Sequence, residues 1–578
     1  MKTPRPEVLA VRAVNQYRRR DVLAYIGLRY YFKNHCTVRD HWGTDVASHL
    51  VLSRSVQPYF HSLHFKELKK DGSIEHRNIH LPGPNEALAE AVLLQACAEA
   101  GVGLEFPRHV FSYRVAKDDT KAGMFEPYFR GFRSRHNAVV SACCMQPESS
   151  VLYTDIRRFY PRISSQLALR VWDAACDRTR LNSRARTLGE KILHDHALVQ
   201  NSQCAGVLTG PMISHLIGNL VLREVDVQMT ASLPSGYFRY VDDIILVGSR
   251  QAVDSGRMRL EALLRELGLE LHGAGKDYRV SASEWLQGAG DFKDGSERPS
   301  WMTFVGGLKH LLVTRPQERE ELMRELVEAG IRLPVSDYSE AVWESSYVES
   351  FLELAQRAWF RMRVGKITTS GLVKQALILR NRHTAALDAA AEGAGGLEGY
   401  QRKRRITKLK YHAGRLVYLA APDQLVELGR LLEPIPELRF HSEILNAIGT
   451  LDVSRLLSFG NNAVQSAAQA LRTIDRPVRA VPAQWTAVER QGMAILELNA
   501  VDVASEQSSP LHDDEVNRFA RWGGGAQTLM RSPDPFIREL ACLHGCLPDR
   551  RHGSVLDSAF DRDEELAFDA ITQERPSS

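Results

Sequence analysis

The stretch FRYVDDIILVGS, residues 238–249, places two adjacent aspartates, Asp242 and Asp243, between two apolar runs. Short apolar runs on either side of a polar pair predict a β-hairpin that carries both acids at its tip. Two neighbouring buried carboxylates are costly because of desolvation and like-charge repulsion. Magnesium offsets that cost, since it prefers carboxylate oxygens and keeps coordination positions for phosphates. The alternative is an ordinary surface turn, in which Asp-Asp pairs are common.

A third acid lies upstream in VLYTDIRRFYPRIS, residues 151–164, where an apolar strand pattern ends at Asp155. A basic pair follows it, and then the aromatic pair Phe159-Tyr160. An acid at a strand end can face the hairpin acids and complete a site for two metal ions roughly 3.5–4 Å apart. Such ions stabilise both the attacking 3′-oxygen and the leaving pyrophosphate. Taken alone, Asp155 is as readily explained as a helix N-cap or a turn residue.

These segments resemble motifs of the reverse transcriptase family. Asp155 with Phe159-Tyr160 is similar to motif A, and YVDD at 240–243 is similar to the YxDD of motif C. Between them, CAGVLTGPMISHLIGNLVL at 204–222 resembles motif B, whose Gly, Ser and Asn register is kept here by Gly210, Ser214 and Asn219. The apolar positions that follow the proline of this segment predict a helix.

Two shorter matches lie downstream. Lys276, in LELHGAGKD, falls where motif D carries its lysine, and Phe304-Val305-Gly306 resembles the short hydrophobic-Gly motif E that grips the primer end. The resemblance covers about residues 108–310. It implies an α+β right-hand polymerase fold with fingers and palm, and it implies two Mg²⁺ ions as cofactors, for which Mn²⁺ can substitute.

The resemblance also implies a role for each matched residue. Asp155 and Asp242 ligate both metals, Asp243 assists as a neighbouring carboxylate, and Ile156 joins the metal ligands. Lys276 protonates the leaving pyrophosphate as general acid, with a solvated surface lysine as the alternative. The residues expected to contact the substrate are Ile156, Phe159, Tyr160, Thr209, Gly210, Ser214, Asn219, Tyr240 and Arg114.

Three of these positions bear on the nucleotide. Tyr160 stands where the family places an aromatic gate against the sugar 2′-hydroxyl, which implies a dNTP substrate. Thr209 replaces the family's glutamine before the motif B glycine; that side chain helps to position the template–dNTP pair, so templating is expected to be relaxed or altered. Positive charge for the triphosphate is expected from the segments before motif A, with Arg114 first and then Lys117, Lys121, Arg130, Arg133 and Arg135.

The 578-residue chain is long enough for two to four domains, and its 44% hydrophobic and 25% charged residues are typical of a folded protein. No apolar run approaches the ~18 residues of a membrane helix, and the N-terminus has no apolar signal core, which favours a cytoplasmic protein. The eight cysteines are scattered and predict no disulfide framework. A net charge of +4 argues weakly for nucleic acid, so that case rests on local basic stretches.

Four regions are predicted along the chain: an N-terminal helical extension of the fingers at 1–105, a reverse transcriptase fingers–palm domain at 106–320, an all-α, repeat-like C-terminal region at 335–565, and a loose tail at 566–578. Within the first region, helices are expected at about 7–60 and 85–102. The C-terminal region is expected to be thumb-like at first and then a solenoid of stacked helix pairs, without strands.

The Thr-Gly-Pro in motif B and the long helical tail together resemble the bacterial reverse transcriptases of abortive infection and antiphage defence. That resemblance implies RNA-directed, or template-independent, DNA synthesis, with an RNA template or noncoding RNA and a DNA product as partners. The basic stretch Arg402–Arg405 is either a phosphate cradle or part of a scaffold, and the tail offers a surface for a homo-oligomer. The alternatives are an RNA-templated RNA polymerase, which Tyr160 and Val241 disfavour, and a catalytically silent polymerase-fold protein that binds nucleic acid.

Overall fold

The computed structural model describes residues 59–69, 71–102, 107–115, 123–126, 128–199, 206–273, 277–289, 299–333, 367–499 and 501–504, with five helical positions between 9 and 17. The protein is a mixed α+β fold with small sheets and a largely helical C-terminal part. Within these residues no helix is both long and apolar enough to cross a membrane. Lys276 and the predicted tail at 566–578 lie outside the described part of the chain.

The described N-terminal part contains a β-hairpin as well as a helix. Strands β1 (Tyr59–Leu68) and β2 (Ile74–Pro82) pair antiparallel, and helix α1 (Pro84–Ala100) follows them. Helix α1 is as predicted and ends at Gly101, which adopts a left-handed φ of 83°. The sequence predicts helices at about 7–60 and 85–102, and it does not predict the hairpin between them.

Distant helices stabilise this hairpin. Phe65 packs against Phe440 and Phe459, with ring centroids 5.5 and 5.3 Å apart. The Asn461 amide donates a hydrogen bond of 2.6 Å to the Ser62 hydroxyl. An isolated two-stranded hairpin is marginally stable at best. These residues therefore form strands because of contacts with distant parts of the chain, which the local sequence pattern does not predict.

The largest sheet of the described residues has four antiparallel strands in the order β4-β5-β3-β6. Its strands are β3 (Ser150–Asp155), β4 (Tyr237–Tyr240), β5 (Asp243–Gly248) and β6 (Tyr278–Ser281). The arrangement is a split β-α-β unit, because β5 lies between β3 and β4 in the sheet. The helices that connect and cover it are α2 (Tyr128–Met145), α3 (Phe159–Arg162), α4 (Ser165–Thr179), α5 (Ser183–Val199), α6 (Met212–Ser232), α7 (Arg250–Glu266) and α8 (Ala282–Ala289).

Strand β5 is buried on both faces of this sheet. Ile245 and Val247 join an apolar cluster with residues of α2 and α8, whereas Ile244 and Leu246 belong to the main core on the other face. A strand covered on both sides has an uninterrupted apolar sequence, as the run after Asp243 shows. The predicted β-hairpin is confirmed. Its turn lies at the acids, because the apolar run of β5 begins directly after Asp243.

The C-terminal part is helical: α9 (Trp301–Thr314), α10 (Arg319–Glu328), α11 (Thr369–Ala391), α12 (Gly399–Leu419), α13 (Pro422–Leu432), α14 (Arg439–Thr450), α15 (Asn461–Leu471) and α16 (Ala487–Leu498). Helix α11 packs on α12, α13 on α14, and α15 on α16. The expectation of no strand is corrected by a two-residue parallel pair, β7 (Val478–Arg479) and β8 (Val503–Ala504). The segment Phe304–Gly306 lies within α9, where Phe304 and Val305 are buried in the core.

The basic stretch Arg402–Arg405 lies on α12 and contacts protein groups. The Arg402 guanidinium donates two hydrogen bonds, of 2.7 and 2.9 Å, to the Glu437 carboxylate. Arg404 donates to the backbone carbonyl of Gln287 on α8 over 3.2 Å. These contacts support the scaffold interpretation, and the phosphate cradle stays a prediction.

Candidate metal centre

The hairpin and the strand beside it bring three carboxylates together. Strands β4 and β5 are joined by the two-residue turn Val241-Asp242. Asp243 pairs with Asp155 on β3, and the Ile156 N–H donates to the Asp242 carbonyl over 3.1 Å. Ligand oxygens of the three aspartates all lie within 4.8 Å of one another. Asp155 thus faces the two hairpin acids, as the sequence predicts.

The electrostatics of this cluster suit a divalent cation. Burial, followed by the charges of Asp243 and Asp155, raises the pKa of Asp242 well above its usual value, while the charge of Arg77 on β2 acts in the opposite direction. Within the described residues, no other group of three or more His, Cys, Asp or Glu side chains is placed to share a metal ion. Carboxylate oxygens are the donors that Mg²⁺ and Mn²⁺ prefer, and a dication would relieve the repulsion.

Both carboxylate oxygens of Asp243 have protein partners. The Tyr153 hydroxyl donates to Oδ1 over 2.5 Å, and Arg135 Nη1 lies 3.8 Å from Oδ2. Burial and the charge of Asp243 raise the pKa of the Tyr153 phenol, so it stays a neutral donor. All three carboxylates are grouped so that they could hold a metal ion. Sequence reasoning missed Tyr153 and assigned Arg135 to the triphosphate.

Asp155 is supported by the segment after α7. The backbone N–H of His272 donates to the Asp155 carbonyl over 2.8 Å, and its Nε2 atom lies 3.7 Å from Asp155 Oδ2. This segment leads to Lys276, whose predicted general-acid role falls outside the described residues. No sequence signal distinguishes His272 from an ordinary loop histidine.

A buried ion pair stabilises the turn between β4 and β5. Arg239 and Asp226 are fully buried, and the guanidinium donates to both carboxylate oxygens over 2.7 and 2.6 Å. Arg239 Nη1 also donates to the carbonyl of Val241 over 2.8 Å. Val241 has a φ of 57°, a strained value for a β-branched residue, which persists only where the surroundings impose it. The ion pair thus fixes the backbone that presents Asp242.

Asn219 belongs to the same network. Its Nδ2 donates to the Ser112 carbonyl over 3.2 Å, and its Oδ1 accepts from Arg239 over 3.3 Å. The Ser112 hydroxyl in turn accepts from the Val241 N–H over 2.9 Å. Asn219 is buried, so in this structure it holds the turn; its contact with substrate stays a prediction.

The aromatic pair after Asp155 packs against α6. Phe159 is buried in the core, whereas Tyr160 is half-buried. The Tyr160 hydroxyl and His215 Nδ1 are hydrogen-bonded at 2.6 Å, and the His215 ring stacks on Tyr113 with centroids 3.6 Å apart. The hydrogen bond to His215 therefore fixes the Tyr160 ring against α6. His215 follows Ser214 directly, but nothing in the sequence singled it out.

The loop before α6 lies against strand β2. The His80 N–H donates to the Thr209 carbonyl over 2.7 Å. At Gly210, φ is 126° and a β-carbon would lie 2.2 Å from the His80 carbonyl oxygen, so only glycine fits. Ser214 is fully buried, and its Oγ has no hydrogen-bond partner among the described residues.

Two other residues predicted to contact the substrate, Tyr240 and Arg114, contact protein groups in this structure. Tyr240 is buried, and its ring stacks on Phe132 with centroids 3.8 Å apart. Arg114 is exposed, and its guanidinium donates to the carbonyl of Val110 over 2.8 Å. Their contacts with nucleotide stay predictions.

The N-cap residue of helix α6 is Pro211, whose side chain makes no capping hydrogen bond, and a distant glutamate takes that role. Glu90 on α1 accepts from the backbone N–H groups of Met212 and Ile213 over 2.6 and 3.3 Å. A carboxylate at this end of a helix is favoured by the helix dipole and the free N–H groups. Burial nevertheless raises the pKa of Glu90 to about 8.

Glu90→Gln is expected to flatten the pH dependence of stability. Because the folded-state pKa of Glu90 is raised to about 8, the wild-type free energy of unfolding should fall as pH rises from about 4.5 to 8, by roughly 1.4 kcal/mol per unit at most. Glutamine keeps an accepting oxygen and cannot ionise. Urea midpoints between pH 5 and 8 measure the difference, with the exposed Glu99→Gln on the same helix as control. Parallel curves for wild type and Glu90→Gln would contradict the prediction.

No protein-family model matches this chain, and no curated protein matches its sequence.

Proposed function

We propose that this protein is a reverse-transcriptase-type polymerase that adds dNTPs to a 3′-hydroxyl by two-metal nucleotidyl transfer. The observation that carries the proposal is the meeting of Asp155, Asp242 and Asp243 at one end of an antiparallel sheet, with ligand oxygens within 4.8 Å. Support also comes from the turn, because a strained backbone held by a buried ion pair is typical of a functional site.

The carboxylates have distinct tasks in this reaction. Asp155 and Asp242 would hold the two Mg²⁺ ions, which would supply positive charge for the attacking and leaving oxygens. Asp243, held by Tyr153 and Arg135, keeps its orientation and adds negative charge without leaving its own partners. The 3′-hydroxyl gives its proton to water and its oxygen attacks the α-phosphorus of the dNTP. The bond between that phosphorus and the oxygen bridging the α- and β-phosphates breaks, and pyrophosphate leaves with the bridging oxygen.

Tyr160→Ala is expected to weaken discrimination against ribonucleotides by about tenfold or more, because the ring no longer occupies the space of a 2′-hydroxyl. Incorporation of dNTP and rNTP at equal concentration measures the ratio. Tyr160→Phe keeps the ring while losing the hydrogen bond to His215, so it should retain most of the discrimination. An unchanged ratio in Tyr160→Ala would remove Tyr160 from sugar selection.

The partners in this proposal are dNTPs, an RNA template or noncoding RNA, and a DNA product, in a bacterial antiphage role. Thr209, in place of the usual glutamine, agrees with relaxed templating. Its carbonyl is held by His80, so the loop that carries it has a defined conformation.

The test is incorporation of each labelled dNTP and rNTP by purified protein with Mg²⁺ or Mn²⁺, with and without its co-purifying RNA. DNA synthesis supports the proposal, and its dependence on RNA separates templated from template-independent addition. Preferential use of rNTPs would identify an RNA polymerase. Nucleic-acid binding without synthesis in any of these reactions would identify a catalytically silent protein.

A further inference from the structure

A stack of two tyrosines lies behind Asp243. Tyr153 on β3 and Tyr278 on β6 are neighbours in the sheet, with nearly parallel rings and centroids 5.0 Å apart. The Lys403 ammonium lies 3.7 Å from the centroid of the Tyr153 ring and 4.7 Å from that of Tyr278. It also donates a hydrogen bond to the Tyr278 hydroxyl.

Lys403 comes from α12, far along the chain in the helical C-terminal part. This helix is fixed against α8 at the same place: Tyr400 stacks on Trp285 with centroids 5.5 Å apart. At Gly288 of α8, a β-carbon would lie 2.5 Å from the Tyr400 hydroxyl oxygen, so a larger residue there would displace the Tyr400 side chain. Lys403 therefore reaches the two tyrosines from a helix that also packs against α8.

The contact has a chemical consequence at Asp243. A cation over a tyrosine ring is attracted to its π-face, most strongly where water is excluded, and it fixes the ring in place. It also withdraws electron density from the ring, which makes the Tyr153 hydroxyl a better hydrogen-bond donor. That hydroxyl donates to Asp243 Oδ1, one of the three grouped carboxylates.

We propose that Lys403 is a positioning residue for the metal centre, acting through the Tyr153 hydroxyl on Asp243. The C-terminal helical part is thereby a component of the centre as well as a scaffold. This inference rests on the proposed two-metal function, in which Asp155 and Asp242 hold Mg²⁺ beside the carboxylate of Asp243.

A purely structural role makes a different prediction. If Lys403 served only to pack α12 against the sheet, its loss would lower stability equally whether or not Tyr153 carries a hydroxyl. If it acts through that hydroxyl, its effect on Mg²⁺ binding must vanish in Tyr153→Phe, where the ring remains and the donor is gone. A double-mutant cycle separates the two.

The experiment measures the melting temperature of the full chain against Mg²⁺ concentration and extracts the half-saturating concentration. Lys403→Met, which keeps the length of the side chain, is expected to raise the half-saturating Mg²⁺ concentration about threefold to tenfold. Tyr153→Phe should raise it at least as much, and the double variant should equal Tyr153→Phe. Lys403→Arg should keep the half-saturating Mg²⁺ concentration close to the wild-type value, because a guanidinium also binds an aromatic face. Lys410→Met removes the same charge from α12 and should have no effect.

Equal changes from Lys403→Met in both Tyr153 backgrounds, or no change at all, would overturn the proposal. A lower melting temperature without metal does not obscure the result, because the half-saturating concentration is read from the Mg²⁺ dependence. A parallel assay of dNTP incorporation separates the proposed polymerase function from the proposed role of Lys403. If the wild-type protein binds Mg²⁺ but makes no DNA, the polymerase function is refuted and the coupling of Lys403 to the metal centre stands. Wild type without any response to Mg²⁺ refutes both.

Discussion

Replacing Asp242 with asparagine is expected to abolish nucleotide incorporation and, without divalent metal, to make the folded protein more stable. Incorporation should fall about a thousandfold or more, because the variant loses a charged ligand that the metal pair requires. The free energy of unfolding in EDTA should rise by about 1–3 kcal/mol, because repulsion from two carboxylates within 4.8 Å is removed.

The raised pKa of Asp242 gives the sign of the pH dependence. Ionisation is disfavoured in the folded state, so wild-type stability should fall as pH rises above the usual aspartate pKa, and the variant should lack this part of the decline. Adding Mg²⁺ should stabilise the wild type and not Asp242→Asn.

Urea unfolding in EDTA and in Mg²⁺, together with dNTP incorporation, measures these effects. Asp254→Asn is the matched control, since Asp254 is an acid of α7 that pairs with Arg279. It should retain both incorporation and the response to Mg²⁺. Full incorporation by Asp242→Asn would exclude this residue as a metal ligand, and lower stability in EDTA would contradict the electrostatic account.

Replacing Arg239 with methionine should destabilise the protein by about 3–5 kcal/mol, because it leaves the Asp226 carboxylate buried without its cation. Incorporation should also fall by about tenfold or more, since the carbonyl of Val241 loses its donor and the strained turn is released. The midpoint of urea unfolding and the incorporation rate measure the two effects.

The double variant Arg239→Met/Asp226→Leu separates stability from positioning. Replacing both members of a buried ion pair by apolar residues is often neutral for stability, so much of the lost stability should return. Activity should not return, because neither new side chain can hold the Val241 carbonyl. Recovery of full activity in the double variant would show that the pair contributes packing and nothing more to the turn.

Much of the centre follows from local sequence. The apolar runs on either side of Asp242 and Asp243 predict a β-hairpin with the acids at its tip. The strand ending at Asp155 and the helix after Pro211 follow from periodicity in the same way. Periodicity and turn chemistry depend on neighbours along the chain, which is why these elements could be predicted.

The partners of the carboxylates depended on the tertiary structure. Asp243 is held by Arg135 and Tyr153, and Tyr153 is held by Lys403, which is remote in the sequence. The hairpin at 59–82 likewise forms strands because distant helices cover it. A cation over an aromatic ring or a buried ion pair leaves no periodic trace in the sequence, because its members come from separate elements. The sequence by itself thus determined where the acids lie, and only the tertiary structure decided what holds them there.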